Sequence, residues 1–393
     1  MSLATLAVTA LIAWLAALAQ PSWAPYPVAL LLYSLAWLRL HQQHRDSRVL
    51  LAVILPFVIT ALPAPPRLSD DYHRYLWEGH VQNHGYSPFA HPPDTLFDQL
   101  HHPAEPAINH AHLPAIYPPL SQLAFRAADA LGHHVFPWKC LLLLAILSCR
   151  AFLSTRQTLL LLGNPLLLVE GLWNAHLDAL GIPALYAMLV FMQRGRLWRG
   201  AAAGIALFGI KLVPVVLTLF PWRDWPRRRQ LQFAVLGVAG SLLLYLPFAE
   251  DGAALLRSPG AFSLHWYFNN PLFTALYPAL PASWVRALLT GIMLLTWLWL
   301  WLRPWRVRDR ACWAWIALLC LSPTVYPWYL LWLLPLTRSK AHPWLLAAYV
   351  FSCLSYRVLP NWHLAGVWHL PTLWLIVEWV GLLFCFIQLR PRR

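Results

Sequence analysis

The residues best suited to chemistry lie in a short polar segment of an otherwise apolar chain. Positions 69–79 read Ser-Asp-Asp-Tyr-His-Arg-Tyr-Leu-Trp-Glu-Gly and follow the apolar run Val49–Leu62. In a helix, Asp71, Arg74 and Glu78 would share one face, since side chains three, four and seven positions apart lie one above another. Paired carboxylates at the mouth of a membrane helix bundle are usually functional, and they suit general acid–base chemistry. The alternative is a solvated loop helix with a capping aspartate.

The composition predicts a membrane protein. Hydrophobic residues make up 59% of the chain and charged residues 11%, whereas a soluble domain has roughly 25% charged residues. The 24 tryptophans suit the amphipathic belts at the two membrane interfaces. The N-terminal run Leu3–Ala19 lacks the basic region and cleavage site of a secretory signal, so we expect it to be a retained first span.

The basic residues predict the orientation of the chain in the bilayer. The net charge is +14, but most lysines and arginines fall in short clusters between apolar runs, which favours membrane orientation over nucleic-acid binding. The segments Pro63–His134, with seven acidic residues, and Glu250–Ser283 belong on the opposite, extracytoplasmic side. We expect the following clusters to be cytoplasmic: Arg39, Arg45 and Arg48; Arg150 and Arg156; Arg194, Arg196 and Arg199; Arg223, Arg227, Arg228 and Arg229; Arg303, Arg306, Arg308 and Arg310; Arg338 and Lys340; Arg390, Arg392 and Arg393.

Two intervals between cytoplasmic clusters are too short to cross the membrane and return. Arg199 and Arg223 leave room for only about one span of roughly 20 residues. Lys211 and Pro214 interrupt this interval near its middle, and the interval 310–338 has a similar proline-rich breaker. We therefore predict two pairs of short half-helices. Broken backbone at membrane depth is tolerated only against protein or a water-filled cavity, so a cavity is implied.

The predicted fold is all-α and polytopic, with about a dozen membrane segments that include the half-helices. We expect residues 1–393 to form a single integral membrane domain, and residues 63–134 to form a long extracytoplasmic catalytic loop with short surface helices. The predicted full spans are residues 3–19, 24–40, 48–62, 135–150, 157–172, 176–192, 231–249, 284–302, 342–358 and 367–389.

Several motifs resemble those of a known enzyme family. The segment 69–79 resembles the first outer loop of GT-C superfamily membrane glycosyltransferases, and looks closest to bacterial polyprenol-phosphate-mannose-dependent mannosyltransferases. Three departures are Glu78 where Asp is usual, and Ser87 and Leu177 where Asn is usual. Further matches follow in the expected order: Gly85-Tyr86-Ser87-Pro88-Phe89, Ile108-Asn109-His110, Ile116-Tyr117-Pro118-Pro119-Leu120, Asn164-Pro165-Leu166, Glu170-Gly171, Asn174-Ala175-His176-Leu177-Asp178 and Tyr326-Pro327-Trp328-Tyr329-Leu330.

The resemblance implies that one carboxylate of the Asp70/Asp71 pair is the general base. An inverting transfer from a lipid phosphate needs one base for the acceptor hydroxyl and cationic groups around the departing phosphate. Adjacent helical side chains point about 100° apart, so one aspartate faces the site while the other caps or pairs. Arg74 and Lys211 are the candidates for the phosphate. An ammonium in the middle of an apolar run is costly, although a lysine snorkelling near a helix end is the alternative for Lys211.

Other polar residues of these motifs are candidates for binding the sugar or the acceptor. A third hairpin is predicted over Gly163–Gln193, and His176 and Asp178 lie at its tip. They could bind sugar hydroxyls or orient the base; a simple polar turn is the alternative. The complete set of sugar or acceptor candidates is Glu78, Asn109, Tyr117, His176 and Asp178.

The sequence does not indicate a certain cofactor. The six cysteines lie in or beside apolar runs without a CxxC pair, so neither a disulfide framework nor a thiolate metal site is expected. His80 and His84 have the spacing that holds a metal on a helix, but no HExxH frame accompanies them, which favours a weak surface site or plain composition. We assign no metal ligands, and a divalent cation stays open because some superfamily relatives use one.

The combined prediction is an inverting glycosyltransferase of the cell (inner) membrane with an extracytoplasmic active site. Its partners would be a polyprenyl-phosphate-linked sugar, a glycan, lipid or protein acceptor, and the lipid bilayer, with no nucleic acid. Mannose is the sugar that the resemblance implies. The alternative is a transporter or flippase of a lipid-linked sugar, which broken helices would also suit. Against it, the carboxylates concentrate in one outer loop and no inverted repeat is visible.

The charge pattern gives a topology prediction. A reporter fused after Pro106 should be active only outside the cytoplasm, and one fused after Arg229 only inside it, because basic loops stay cytoplasmic. Alkaline phosphatase and green fluorescent protein fusions at both positions measure this. The reverse result at both sites would move the proposed chemistry to the cytoplasm.

Overall fold

The computed structural model describes residues 2–20, 25–43 and 46–389. Helices make up 76% of the described residues, as predicted for an all-α protein, and the same residues form no strand. An isolated bridge joins Phe268 and Thr324. Of the predicted cytoplasmic clusters, Arg45, Arg390, Arg392 and Arg393 lie outside the described residues.

The helices are listed here in chain order. The first ten α-helices are α1 Leu3–Ala19, α2 Tyr26–Gln43, α3 Ser47–Ala61, α4 Asp71–Asn83, α5 Pro119–Leu131, α6 Val135–Ser148, α7 Thr155–Leu162, α8 Asp178–Gln193, α9 Leu197–Ile210 and α10 Leu219–Trp222. They are followed by α11 Arg227–Tyr245, α12 Arg257–His265, α13 Pro271–Leu276, α14 Ala282–Leu302, α15 Val307–Leu321, α16 Leu333–Leu336, α17 His342–Ser352, α18 Val358–Ala365 and α19 Thr372–Gln388. A π-helix spans Leu167–Trp173, and short 3-10 helices include Pro93–Thr95, Glu105–Ala107, Cys149–Ala151, Val213–Thr218, Leu246–Leu256, Pro327–Trp332, Ser339–Ala341 and Cys353–Arg357.

The chain divides into two compact units. The first unit comprises Met1–Ala64, Leu153–Gly171 and Tyr267–Arg393, and the second comprises Pro65–Phe152 and Leu172–Trp266. Every residue predicted to take part in chemistry lies in the second unit. A single integral membrane domain stays a prediction.

The first unit is held by buried aromatic side chains that satisfy backbone groups. Helix α7 ends before Pro165, which cannot donate a backbone hydrogen bond. Tyr33 donates to the carbonyl of Gly163 at 2.7 Å, and Trp37 donates to that of Leu160 at 3.0 Å. These bonds satisfy carbonyls that a helix end would otherwise leave unpaired.

A buried carboxylate in the first unit is paired with tyrosines. Glu170 is 0% exposed and accepts hydrogen bonds from the hydroxyls of Tyr349 at 2.7 Å and Tyr356 at 2.8 Å. Burial of a carboxylate is tolerated because these donors replace water.

The helix is broken in both intervals where the charge pattern predicted half-helices. Helix α9 ends at Ile210, Lys211 is extended at φ −153° and ψ 135°, and the chain resumes as Val213–Thr218 and α10. Likewise α15 ends at Leu321, and the chain resumes at Pro327–Trp332. Whether these segments re-enter the membrane stays a prediction.

Within the part of the chain that the structure describes, two helical stretches are long and apolar enough to cross a membrane. They are Arg227–His265 and Ala282–Leu302, and the broken pair Leu167–Trp173 with Asp178–Gln193 makes a third if it counts as one span. Other predicted spans coincide with shorter apolar helices such as Leu3–Ala19 and Thr372–Gln388. A dozen membrane segments therefore stays a prediction.

The second unit places α4 against α5 at very short range. A Cβ atom on Gly79 would lie 2.3 Å from the carbonyl oxygen of Phe125, so only glycine permits this approach. Trp77 and Val81 on α4 pack with Leu96 and Leu100, which attaches the segment after α4 to the same helix.

We expect Gly79→Ala to destabilise the protein by about 1–3 kcal/mol, because the added methyl group must push two backbones apart. Gly237→Ala in α11 is the control, since a Cβ there meets nothing within 4 Å. Thermal unfolding of both variants in detergent measures the difference. Equal stability of the Gly79 variant and the wild type would contradict the close packing.

Candidate active site

The two aspartates of the first loop have different environments. Asp70 occupies the N-cap position of α4, but its side chain makes no capping bond. Its carboxylate is exposed and accepts a hydrogen bond from the side-chain amide of Asn109 at 2.8 Å. Asp71 is the first helical residue, and its backbone N–H donates to the hydroxyl of Ser69 at 3.2 Å. The two adjacent carboxylates therefore have different positions at the start of α4: Asp70 is at the N-cap, and Asp71 is in the first turn.

The turn before α8 is bound to the segment that precedes α4. The side-chain oxygen of Asn174 accepts hydrogen bonds from the amides of Arg67 at 3.2 Å and Leu68 at 3.0 Å. Trp138 donates to the carbonyl of Ala175 at 2.8 Å, and Ala175 adopts the left-handed conformation with φ 62°. This strained turn brings the residues that follow it to the start of α4.

Asp71 lies next to His176 within this arrangement. Oδ2 of Asp71 is 3.9 Å from Nδ1 of His176, whose side chain is fully buried, while the Asp71 side chain is 27% exposed. Loss of hydration raises the pKa of the Asp71 carboxyl from 3.8 to about 7, and the charge of Asp70 adds to the rise. The Lys211 ammonium opposes it. A carboxylate with a pKa near neutrality is suited to exchange protons at physiological pH.

Lys211 forms a salt bridge with Asp178. Its Nζ donates to both carboxylate oxygens at 2.8 Å. The Asp178 side chain is 1% exposed and stands at the first position of α8, where the helix dipole favours a negative charge. The Lys211 side chain keeps 19% exposure because the extended residue follows the end of α9. The pair therefore supplies a fixed cation near Asp71.

Arg74 and Glu78 form a buried brace. Arg74 donates to Oε1 of Glu78 at 2.9 Å and to the carbonyls of Leu113 and Pro114 at 3.0 Å each. Gln122 donates to the other oxygen of Glu78 at 2.6 Å. Burial nevertheless raises the pKa of Glu78. These contacts join α4 to α5 and to the loop before it; donor-phosphate binding by Arg74 and sugar binding by Glu78 stay predictions.

Tyr117 lies near Asp71 in the candidate site. Its ring meets that of Tyr75 edge-on, with centroids 5.4 Å apart, and Tyr75 stacks on Phe125 at 4.8 Å. Burial keeps the pKa of the Tyr117 hydroxyl well above its usual value, and the charge of Asp71 contributes to the rise. The hydroxyl is therefore protonated and able to donate a hydrogen bond.

The structure groups most of the predicted residues and adds one that the sequence analysis missed. Asp70 pairs with Asn109, Asp71 lies by His176, and Lys211 pairs with Asp178. Gln122 was missed, although it is a fully buried polar residue on the strongly amphipathic helix α5. A glutamine on the apolar face of a helix is the signal that could have found it. The roles of all these residues in catalysis stay predictions.

The rings of the two histidines noted in the sequence, His80 and His84, lie close together, with centroids 4.2 Å apart. His84 is exposed just beyond α4, and its Nδ1 lies 2.9 Å from the carbonyl of His80. Among the described residues, the metal-ligating atoms of His80 group with those of His102, Asp129 and His133.

The comparisons with known proteins show the family of this chain. A family model described as alpha-(1->6)-mannopyranosyltransferase, N-terminal domain, matches residues 3–223, more than half of the chain and every residue of the candidate site. The chain belongs to this family, which confirms the resemblance drawn from its motifs and supports mannosyl transfer as its activity. Comparisons with curated proteins and with solved structures found no match.

The salt bridge yields a stability prediction. Lys211→Met should cost about 3–5 kcal/mol, because it leaves the buried Asp178 carboxylate without this cation. Adding Asp178→Asn to the same chain should recover much of the loss, since the residual charge is then removed. A double-mutant cycle by thermal unfolding measures the coupling. Strictly additive effects of the two changes would contradict a direct ion pair.

Proposed function

We propose that the protein transfers one mannosyl group from a polyprenyl-phosphate donor to an acceptor hydroxyl outside the cytoplasm, with inversion. The acceptor oxygen attacks the anomeric carbon, its proton passes to a carboxylate, and the polyprenyl phosphate leaves with the electrons of the broken C–O bond. The single observation that carries the proposal is the Asp71 carboxyl, partly exposed and with its pKa raised to about 7.

Asp71 is the general base in this proposal. A base is most effective when its pKa lies near the working pH, and Asp71 meets this condition because burial and Asp70 disfavour its charged form. His176 lies 3.9 Å away and is fully buried, so it limits where the Asp71 carboxylate points. Asp70, exposed and paired with Asn109, has a supporting electrostatic role.

Lys211 is the proposed partner of the donor phosphate. Its charge already acts on the pKa of Asp71, so the cation and the base belong to one electrostatic environment. Asp178 holds the ammonium with two bonds of 2.8 Å, which orders it before the donor arrives. Arg74 has a positioning role, since its guanidinium is 9% exposed and holds the 113–114 carbonyls.

Residues near Asp70 and Asp71 are assigned to contacts with the sugar and the acceptor. Asn109 and Tyr117 carry hydrogen-bond donors close to Asp70 and Asp71, so we assign them to the hydroxyl groups of the substrates. His176, Asp178 and Glu78 are buried and act through the residues that they orient. Membership of a mannosyltransferase family favours this enzyme over the transporter considered from the sequence.

The test is mannosyl transfer in proteoliposomes with radiolabelled polyprenyl-phosphate-mannose, set beside other lipid-phosphosugars and a nucleotide-linked mannose. Asp71→Asn should lower turnover by roughly 10²–10⁴, the typical contribution of general-base catalysis. Asp70→Asn should lower it less. Full activity of both single variants and of the double variant would remove the pair from catalysis, whereas transfer from the nucleotide sugar alone would overturn the donor class.

The same assay gives a pH profile with defined signs. The base must be deprotonated, so kcat/KM should rise with pH through about 7 and then level off. Asp70→Asn should move the inflection to lower pH, because it removes a charge that raises the Asp71 pKa. Lys211→Met should move it to higher pH and weaken donor binding. An inflection that neither change moves would contradict Asp71 as the titrating group.

A further inference from the structure

A second group of side chains lies outside the candidate active site. It combines His80 of α4, His102 of the following segment, Asp129 of α5 and His133 just beyond α5, and one ligand atom from each lies within 4.8 Å of the others. His80 follows Asp71 by nine residues, which is about 13.5 Å along the helix axis. The four residues are called the histidine cluster below.

The histidine cluster is centred on one oxygen of Asp129. This side chain is 0% exposed, and its Oδ2 accepts a hydrogen bond from Asn83 at 2.8 Å. Its Oδ1 lies 2.7 Å from Nδ1 of His133 and 3.6 Å from Nδ1 of His80. In a tetrahedral site with bonds of about 2.0–2.1 Å, neighbouring ligand atoms are roughly 3.3 Å apart. The two distances from Oδ1 bracket this spacing, and His133 is 60% exposed, which leaves its ring room to adjust.

The histidine cluster contains two buried ring nitrogens without a hydrogen-bond partner among the described residues. They are Nδ1 of His80 and Nε2 of His102, and the two residues are only 7% and 5% exposed. A buried polar atom without a partner is uncommon and costly, and an unplaced ion or water is one usual explanation. A neutral imidazole is the form that binds a metal ion.

The hydrogen bond of His102 defines its role. Its Nδ1 accepts from the amide of Ala104 at 3.0 Å, so the proton of the neutral ring lies on Nε2. A protonated nitrogen cannot coordinate a cation, but it can donate to a water molecule bound to one. His102 therefore differs from His80 and His133, whose Nδ1 atoms both approach the Asp129 oxygen.

We propose that His80, Asp129 and His133 bind one divalent ion of the zinc class, with a water molecule in the fourth position that accepts a hydrogen bond from His102. Two imidazoles and one carboxylate suit zinc, whereas calcium and magnesium prefer six or more oxygen ligands or several retained waters. On binding, the ion takes the place of the Nδ1 proton of His133, and the neutral ring carries its proton on Nε2 instead.

Such an ion would connect the two helices that build the candidate active site. His80 lies on α4 and Asp129 on α5, the pair already joined through Glu78 and Gln122. Binding to the folded chain alone stabilises it by mass action. The role assigned to this ion is therefore structural, and it acts at a distance from Asp71.

The test uses the full chain in detergent, stripped with a chelator and dialysed. Added Zn²⁺ should bind at one ion per chain and raise the unfolding temperature. His133→Ala, which removes an exposed side chain, should weaken zinc binding by about 100-fold or more, and Asp129→Asn and His80→Ala likewise. His102→Ala should weaken it by only about 10-fold, the lower range for groups that orient a metal ligand. Bound Co²⁺ should show the absorption of a four-coordinate ion.

Two controls keep the outcome decisive. His84→Ala removes an exposed histidine that contacts the His80 ring but lies outside the histidine cluster, and it should leave zinc binding unchanged. Asp71→Asn should also leave zinc binding unchanged. The zinc measurement therefore tests the histidine cluster separately from the proposed function. Equal zinc affinity of the wild type and His133→Ala would mean adventitious binding elsewhere and would overturn the site. So would the absence of zinc binding by the stripped wild-type chain.

Discussion

The close approach of α4 and α5 is the constraint on which the rest of the second unit depends. At Gly79 the two backbones are so near that a methyl group would lie 2.3 Å from the carbonyl oxygen of Phe125. On one side of this contact, Gln122 reaches Glu78 and completes the brace with Arg74. On the other side, Asp129 reaches the neighbourhood of His80. One glycine thus allows both polar groups to form between the two helices, because polar side chains need short, directed contacts once water is excluded.

The balance of nearby charges influences the pKa of Asp71 at the start of α4. Asp70, Asp71 and Asp178 bring three carboxylates into one region, and Lys211 is the cation that acts on Asp71. Asp178 is almost fully buried, and it holds the ammonium with both oxygens. Asp71 is left partly exposed with less compensation, so its protonated form is favoured and its pKa rises to about 7. The two adjacent aspartates differ in their exposure and contacts, since Asp70 is exposed and accepts a hydrogen bond from Asn109.

The family and the geometry support different parts of the functional conclusion. The match over residues 3–223 establishes a family of mannosyltransferases, and all the proposed site residues fall within it. The contacts around Asp71 and Lys211 support the assignment of a base and a phosphate partner. The lipid-phosphate donor and the inversion at the anomeric carbon are parts of the proposed function. The histidine cluster is a separate site, because His80 follows Asp71 by nine residues along α4, about 13.5 Å along the helix axis.

The sequence by itself determined the helical, apolar class of the chain, the short polar segment 69–79 that can share residues on one helix face, and the helix break near Lys211. Those features depend on composition, on helical periodicity and on proline, which act over a few residues. Only the tertiary structure decided that Arg74 and Glu78 form a buried brace, and that the pKa of Asp71 is raised to about 7. It alone also brings the metal-ligating atoms of His80 together with those of His102, Asp129 and His133. Periodicity specifies which side chains share a helix face, but the element that covers that face comes from tens of residues away, and its contacts set burial, partner and pKa.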